Sequence, residues 1–253
     1  MERIEVLKTY KIFIGGQFPR TESGRYYPLK LKNNMTVNVS LSSRKDFRNS
    51  VLAARSAFSG WSSRAAFNRG QILYRIAEML EGRKDQFLEE LKQLGYTPAN
   101  AKKEVEQSID RLVYYAGWCD KYQQLFSSVN PVATSHFNFS VPEPMGVVAI
   151  LADESTALLG LVSVIAPAIA GGNTCIVLAS ESKPTCSITF AEVIATSDVP
   201  GGVVNIVTGS RKELHSHFSS HMDVNAIINC NSEKDFNKTI GENASLNVKR
   251  VFT

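Results

Sequence analysis

Three short runs decide the fold of this chain: Gly146-Val-Val-Ala-Ile-Leu151, Asn173-Thr-Cys-Ile-Val-Leu178 and Val203-Val-Asn-Ile-Val207. Each run is apolar and rich in β-branched residues, which is typical of strands that are buried on both faces. Two segments of helical length separate the runs, and this alternation predicts a parallel sheet with crossover helices. We therefore expect the rest of the chain to pack around the stretch 146–209.

The same alternation continues towards the end of the chain. We predict strands at about 146–151, 173–178, 203–207, 224–229 and 248–252, and helices between them at about 156–170, 185–196, 211–220 and 233–243. Five strands with four crossovers predict an α/β fold, an open doubly wound parallel sheet. Ligands of such sheets bind at the carboxyl ends of the strands. The segments to inspect are therefore 151–156, 178–184, 208–211 and 229–233.

The part of the chain before the sheet is predicted to contain a hairpin and several helices. Two apolar runs flank a glycine pair in Tyr10-Lys-Ile-Phe-Ile-Gly-Gly-Gln-Phe-Pro19, which predicts the hairpin. Apolar residues at helical spacing predict a helix that begins near Ser43, a helical region that breaks at Gly82, and a helix that begins at Thr97-Pro98.

These predictions divide one unit, 1–253, into three parts. Residues 1–130 hold the hairpin and the helices, 131–145 hold an arm strand, and 146–253 hold the five-stranded Rossmann-like sheet. The arm strand is the alternating run His136-Phe-Asn-Phe-Ser-Val141, for which the sequence offers no neighbouring strand. An unpaired strand favours association, so we expect the chain to form oligomers.

The composition is that of an ordinary globular protein. Of the 253 residues, 43% are hydrophobic and 21% are charged, and the net charge of +4 is spread along the whole chain. Without a basic block, a nucleic-acid partner has no support.

The one long apolar segment, 156–172, is too short for a membrane span and contains Pro167, so we predict a buried helix and no membrane association. The charged amino terminus argues against export, and four cysteines without CxxC spacing favour a cytoplasmic protein.

The cysteines and histidines do not form a catalytic or metal-binding pattern. A nucleophilic thiol needs an activating base. Structural roles are expected for Cys175 in a buried strand, Cys186 in the first turn of a helix and Cys119 among packing aromatics. Cys230, at the end of the fourth strand, has no neighbouring base in the sequence and is also expected to be structural. No carboxylate or cysteine pattern accompanies the four histidines, so we predict no metal site at His136, His215, His217 and His221. No GxGxxG follows a predicted strand, which counts against a standard dinucleotide fingerprint.

Longer phrases of the sequence are similar to those of one known family. They are Tyr114-Tyr-Ala-Gly-Trp118, Ala166-Pro-Ala-Ile-Ala-Gly-Gly-Asn-Thr174 and Val199-Pro-Gly-Gly-Val-Val-Asn-Ile-Val-Thr-Gly209. In this order they resemble the cofactor-binding domain of the aldehyde dehydrogenase superfamily, over essentially the whole chain. The resemblance implies an aldehyde dehydrogenase-like fold and NAD or NADP as the cofactor. It also implies that the general-base glutamate, the nucleophilic cysteine and the catalytic domain would lie beyond Thr253.

The functional positions of that family are only partly matched. By resemblance, Ser155 stands at the position of the oxyanion-binding asparagine, Leu178 at that of the ribose-binding lysine, and Glu181 at that of the ribose-binding glutamate. Loss of one oxyanion donor typically costs about 2.7 to 4 kcal/mol of barrier. The turn that approaches the cofactor phosphates is matched by Asn231-Ser-Glu233, where an acidic side chain would repel pyrophosphate.

The resemblance therefore implies no catalytic residue, and it predicts weak or absent cofactor binding. The candidate cofactor-binding residues that remain are Ala152, Glu181, Gly209 and Ser232. Phrases such as Asn138-Phe-Ser-Val-Pro-Glu-Pro144 are most similar to the short or second, non-catalytic module of family-16-type aldehyde dehydrogenases. That placement implies a partner that is itself a complete aldehyde dehydrogenase.

Three hypotheses about function follow. The preferred one is a truncated pseudoenzyme, inactive alone, that forms homo-oligomers or serves as a structural or regulatory subunit of a full-length aldehyde dehydrogenase. The second is an NAD(P)-dependent oxidoreductase that acts on aldehydes. The third is a nucleotide-binding sensor in which Glu181 holds a ribose without further chemistry.

Overall fold

A computed structural model of the chain describes residues 8–32, 34–230 and 233–253. Its helices are α1 (Arg44–Ser62), α2 (Ala66–Gly82), α3 (Lys84–Gln93), α4 (Pro98–Trp118), α5 (Tyr122–Phe126), α6 (Leu159–Ala170), α7 (Thr185–Ala195), α8 (Arg211–Ser220) and α9 (Lys234–Ser245). Its strands are β1 (Tyr26–Lys30), β2 (Thr36–Ser40), β3 (Ser128–Asn130), β4 (Asn138–Ser140), β5 (Val147–Leu151), β6 (Thr174–Leu178), β7 (Val204–Val207), β8 (Ala226–Asn229) and β9 (Arg250–Phe252).

The large sheet is the open, parallel, doubly wound sheet that the sequence predicts. Its strand order is β7-β6-β5-β8-β9, and every neighbouring pair is parallel, with Ile150 of β5 opposite Val177 of β6 and Ile228 of β8. The chain steps outward from β5 through β6 to β7 and then returns to the other side of β5. The order therefore reverses between β5 and β8, which is where open α/β sheets bind their ligands.

Helices cover both faces of this sheet. Successive side chains of a strand point to opposite faces, so Val148 and Ile150 enter one core while Val147 and Ala149 enter the other. The first core contains residues of α2, α4, α6 and α7, and the second contains residues of α1, α8 and α9. The five strands of the sheet are buried on both sides except at β9, and this explains their continuous apolar runs.

Local capping explains where two of the predicted helices begin. The Ser43 hydroxyl accepts from the backbone N–H of Asp46, and the Asp46 carboxylate accepts from the Ser43 N–H at 2.8 Å, so a capping box starts α1. Thr97 caps α4 through the N–H of Asn100 at 3.3 Å, and Pro98 occupies the first helical position. The predicted break at Gly82 separates α2 from α3.

The hairpin predicted at Gly15 and Gly16 forms, but it is limited to a single tight turn. Around Gly15 and Gly16 only a tight turn forms, in which Ile14 and Gln17 exchange backbone hydrogen bonds, while Phe13 pairs with Ile206 of β7. The extended antiparallel pair is β1 with β2, which we did not predict. Tyr10 and Phe13, before the turn, pair with Val39 of β2 and Ile206 of β7, and both side chains are buried in the main core.

The prediction of an unpaired arm strand is also wrong. β4 pairs with β3 in an antiparallel register that places Phe139 opposite Val129. The two-stranded sheet nevertheless leaves its apolar side chains in solvent, since Val129, Phe137 and Phe139 are 70%, 74% and 56% exposed. The long apolar segment forms the predicted buried helix, α6, which packs between α4 and the sheet. No helix in the described ranges has the length and the apolar character to cross a membrane.

Candidate functional site

The carboxyl edge of the sheet is where the fold places a ligand site. The loops that follow β5, β6 and β7 meet there, and Glu154 of the first loop lies at the centre of their contacts. Its carboxylate accepts hydrogen bonds from the hydroxyls of Ser180 at 2.6 Å and Ser182 at 2.7 Å, and from the backbone N–H of Glu181 at 2.8 Å. One side chain thus holds the loop after β5 to the loop after β6.

Arg211, the first residue of α8, joins the third loop to the same group. Its Nε lies 2.8 Å from Glu154 Oε1, as an ion pair without the alignment of a hydrogen bond, and its backbone N–H donates to Glu181 Oε2 at 3.0 Å. The Arg211 side chain is only 9% exposed, so Glu154 supplies the counter-charge that a buried guanidinium requires.

The charge state of Glu154 follows from these contacts. Partial burial alone would raise its pKa, but the donors from Ser180, Glu181 and Ser182, together with the charge of Arg211, lower the pKa below that of an ordinary glutamate. Glu154 is therefore an anion at neutral pH. We call the group formed by Glu154, Ser180, Glu181, Ser182 and Arg211 the edge network.

A second carboxylate occupies the start of the first crossover helix. Glu104 of α4 is 7% exposed, and its Oε1 accepts from the backbone N–H groups of Ala157 at 2.9 Å, Leu158 at 2.8 Å and Leu159 at 3.3 Å. Free N–H groups at a helix start form a ready site for a phosphate or another anion. In this chain Glu104 already fills that site at α6.

Three of the four predicted cofactor-binding residues are described by the structure, and they lie at this edge. Glu181 belongs to the edge network, and its carbonyl accepts from the Tyr27 hydroxyl at 3.1 Å. The N–H of Ala152 is already bonded to Leu178 O at 3.0 Å. Gly209, with a φ of 154°, passes so close to the start of α1 that a Cβ would lie 3.1 Å from Ser42 N. Ser232 lies outside the described residues. Their role in binding a cofactor stays a prediction.

Ser155 and Leu178, which by resemblance replace the oxyanion-binding asparagine and the ribose-binding lysine, make contacts within the protein. The Ser155 hydroxyl donates to the Asp153 carboxylate, and the Ser155 carbonyl accepts from Lys183 Nζ at 2.6 Å. Leu178 is completely buried in the core below α1 and α8. Neither residue presents a free polar group to a ligand.

Sequence reasoning missed four residues that shape this edge: Tyr27, Glu104, Glu154 and Arg211. Glu154 and Arg211 lie inside segments that the strand ends had singled out, so charged residues directly after buried strands were the available signal. Tyr27 comes from a hairpin that was not predicted, and Glu104 reaches the edge from a helix of the other half of the chain. No local pattern points to them.

The thiols are not activated for chemistry. Cys230 is the cysteine at this edge, and burial together with the Asp153 carboxylate raises its pKa, against the weaker effect of Arg211. Burial raises the pKa of Cys119 to about 11 and that of Cys175 and Cys186 further still. A protonated thiol is a poor nucleophile.

In the described part of the chain, no three His, Cys, Asp or Glu side chains come together as metal ligands.

This fold and its loop-built edge define a doubly wound α/β protein. The model of the aldehyde dehydrogenase family matches residues 23–253, and the chain therefore belongs to that family. It is 31% identical to the cytosolic 10-formyltetrahydrofolate dehydrogenase of Mus musculus, over 99% of this chain and 29% of that protein. It is also 31% identical to the omega-crystallin of Nototodarus sloanii, over 87% of this chain and 45% of that protein.

Solved structures agree on the architecture. The NAD+ complex of an aldehyde dehydrogenase from Bacillus cereus matches with a TM-score of 0.90 at 23% identity, over 96% of this chain and 50% of that one. The HpcC protein of Thermus thermophilus matches with a TM-score of 0.90 at 26% identity, over 96% and 47%. The first likeness shows the fold alone. The chain spans about half, or less, of the length of these relatives, so it corresponds to part of an aldehyde dehydrogenase.

Proposed function

We propose that this chain is a non-catalytic member of the aldehyde dehydrogenase family that works by associating with a second copy or with a full-length relative. The observation that carries the proposal is the edge network. The carboxylate of Glu154 is bonded to Ser180 and Glu181 and paired with Arg211, although Arg211 Nη2 has no hydrogen-bond partner among the described residues. An edge of this kind stabilises the scaffold and leaves little binding energy for a cofactor.

The residues at this edge do not fit a dinucleotide pyrophosphate. Asp153, Glu154 and Glu181 place three carboxylates there, and a diphosphate would meet their repulsion. The nearby cations already have partners. Arg211 forms an ion pair with Glu154, and Lys183 donates hydrogen bonds to the carbonyls of Glu154 and Ser155. The start of α6 is capped by Glu104. Although a structural relative is an NAD+ complex, we infer weak or absent binding of NAD and NADP by this chain.

The partner would dock on an exposed apolar surface that we call the arm surface. Its members are large apolar side chains of α5, β3, β4 and the residue before β4, each more than half exposed: Leu125, Phe126, Val129, Phe137 and Phe139. Exposed apolar groups that cluster in this way mark protein contacts more often than they mark free surface. The short β3–β4 sheet adds a free edge that another strand can extend.

The similarity to family-16-type modules supports a full-length aldehyde dehydrogenase as that partner, and a second copy of this chain is the alternative within the same proposal. The four free cysteines fit the reducing cytoplasm in which we place both.

Calorimetric titration with NAD and NADP tests the cofactor part of the proposal. We expect a Kd weaker than about 1 mM, which corresponds to less than about 4 kcal/mol of binding free energy. Glu154→Ala removes one carboxylate and frees Arg211, so we expect this variant to bind either dinucleotide more tightly than the wild type. Micromolar binding by the wild type, or oxidation of an aldehyde by the isolated protein, would instead establish a sensor or an enzyme.

Light scattering and co-purification with a full-length aldehyde dehydrogenase test the partner part. We expect Phe137→Ser combined with Phe139→Ser to abolish the association. Phe67→Ser is the matched control, because Phe67 of α2 is 68% exposed but lies outside the arm surface. A wild type that stays monomeric and binds no homologous dehydrogenase would refute this part.

A further inference from the structure

A cationic cleft lies between α1 and α8, on the sheet face away from α6 and α7. Its volume is about 310 Å³. Arg44 and Arg48 line it from α1, His217 and Ser220 line it from α8, and His221 lines it just beyond that helix. We call this space the α1–α8 cleft. Its lining contains basic and neutral side chains but no carboxylate.

The two arginines have no counter-charge in the part of the chain that is described. They lie one helical turn apart on α1, so their side chains project side by side. Neither forms an ion pair or a hydrogen bond with a described residue. Asp46 is the nearest acid on α1, and it is held by the N–H groups of Ser43 at 2.8 Å and Glu22 at 2.9 Å. Two guanidinium groups thus face the cleft with all their donors free.

Burial and the nearby cations lower the pKa of both histidines in the cleft. Burial is the largest cause that lowers the pKa of His217, and Arg44 and His215 lower it further. For His221, burial again comes first, and Lys249, Arg48 and Arg44 act in the same direction against the opposing charge of Asp223. Both imidazoles would gain protons more easily if an anion entered the cleft.

The walls of the cleft are held in place before any ligand binds. The ring of Phe47 stacks on Phe218 with centroids 4.2 Å apart, and it meets the edge of His221 at 5.8 Å. The Asp223 N–H donates to His221 Nδ1 at 3.2 Å, which leaves Nε2 as the protonated nitrogen of the neutral ring. Lys249 Nζ donates to His221 O at 2.8 Å and so offsets the negative end of α8.

We propose that the α1–α8 cleft binds a small phosphate-bearing anion of the size of inorganic pyrophosphate or a compact phosphate monoester. Arginine presents a planar fork of donors that matches two phosphate oxygens, and two such forks side by side suit a multiply charged anion. The volume lies at the lower end for small-molecule sites. The cleft lies apart from the edge network, so this proposal stands independently of the proposed function.

Phosphate groups occur both in lipid headgroups and in free metabolites, and the position of the cleft between two helices favours the free form. Calorimetry with inorganic pyrophosphate at constant ionic strength tests this choice. Arg44→Ala combined with Arg48→Ala should weaken binding by about tenfold for each guanidinium removed. Lys103→Ala combined with Arg111→Ala is the matched control, since it removes two exposed cations from α4, and it should leave the affinity unchanged.

Histidine NMR provides a second readout that needs no variant. Pyrophosphate should shift the resonances of His217 and His221, raise both pKa values, and leave His136 unaffected. Affinity should increase as the pH falls, because the bound anion favours the protonated form of both rings.

Three results would overturn the proposal. They are a wild type that does not bind pyrophosphate, equal binding by the Arg44/Arg48 variant, and binding only to phosphatidylcholine vesicles that contain phosphatidic acid. The last result would make the site a lipid contact.

Discussion

The edge network and the α1–α8 cleft use the same kind of side chain in opposite ways. Arg211, the first residue of α8, is nearly buried and paired with Glu154. Arg44 and Arg48 are exposed, and no described carboxylate faces them. An arginine with its counter-charge inside the protein belongs to the scaffold, whereas an arginine without one keeps its binding capacity for a ligand. The comparison predicts large losses of stability at the first site and almost none at the second.

The largest effect is expected at Glu104. In Glu104→Ala the three N–H groups at the start of α6 lose their acceptor in the interior, so the free energy of unfolding should fall by about 3 kcal/mol. Urea denaturation measures this loss. Glu106→Ala serves as the control on the same helix, because the Glu106 side chain is 43% exposed and forms ion pairs with Lys84 and Lys102, and it should change stability much less. Equal losses in the two variants would contradict the capping role.

Removal of the Glu154 carboxylate should come next. Glu154→Ala leaves Arg211 with little solvent and without its ion-pair partner, so we expect a loss of about 2 kcal/mol in the free energy of unfolding. A double-mutant cycle with Arg211→Ala should give a coupling energy of about 1 kcal/mol or more. Strictly additive effects of the two substitutions would show that the ion pair does not stabilise the fold.

The contribution of Glu154 should also depend on pH. Because folding lowers its pKa below the ordinary value of 4.5, the stabilisation is fully present above pH 4.5 and is lost as the pH falls through the lower pKa of the folded state. The stability difference between the wild type and Glu154→Gln should therefore shrink in acid. Denaturation curves for both proteins between neutral pH and pH 3 measure this change, and a difference that stays constant would argue against an ionised Glu154.

The smallest effect is expected in the cleft. Arg44→Ala and Arg48→Ala should each change the free energy of unfolding by no more than about 0.5 kcal/mol, since no described contact is lost. The same urea experiment checks this expectation. A loss similar to that of Glu154→Ala would mean that the arginines hold the fold together, and the contrast between the two sites would disappear.

The sequence by itself determined the large parallel sheet and the starts of two of its covering helices. The runs in β5, β6 and β7 are buried on both faces, and such burial requires a composition that is visible locally. The beginnings of α1 and α4 were predictable because Ser43 and Thr97 bond to N–H groups two or three residues away. These patterns were enough for the doubly wound fold, and the resemblance of longer phrases such as Val199-Pro-Gly-Gly202 indicated the family.

Only the tertiary structure determined which side chains meet at the carboxyl edge of the sheet. Glu104 reaches the start of α6 from another helix, Tyr27 reaches Glu181 from a hairpin with no clear sequence pattern, and Arg211 meets Glu154 from a different loop. Contacts between groups far apart in the chain depend on how the sheet brings its loops together, and no local spacing encodes them. The sequence therefore indicated where a ligand site would lie, while packing determined that the chain's own carboxylates fill it.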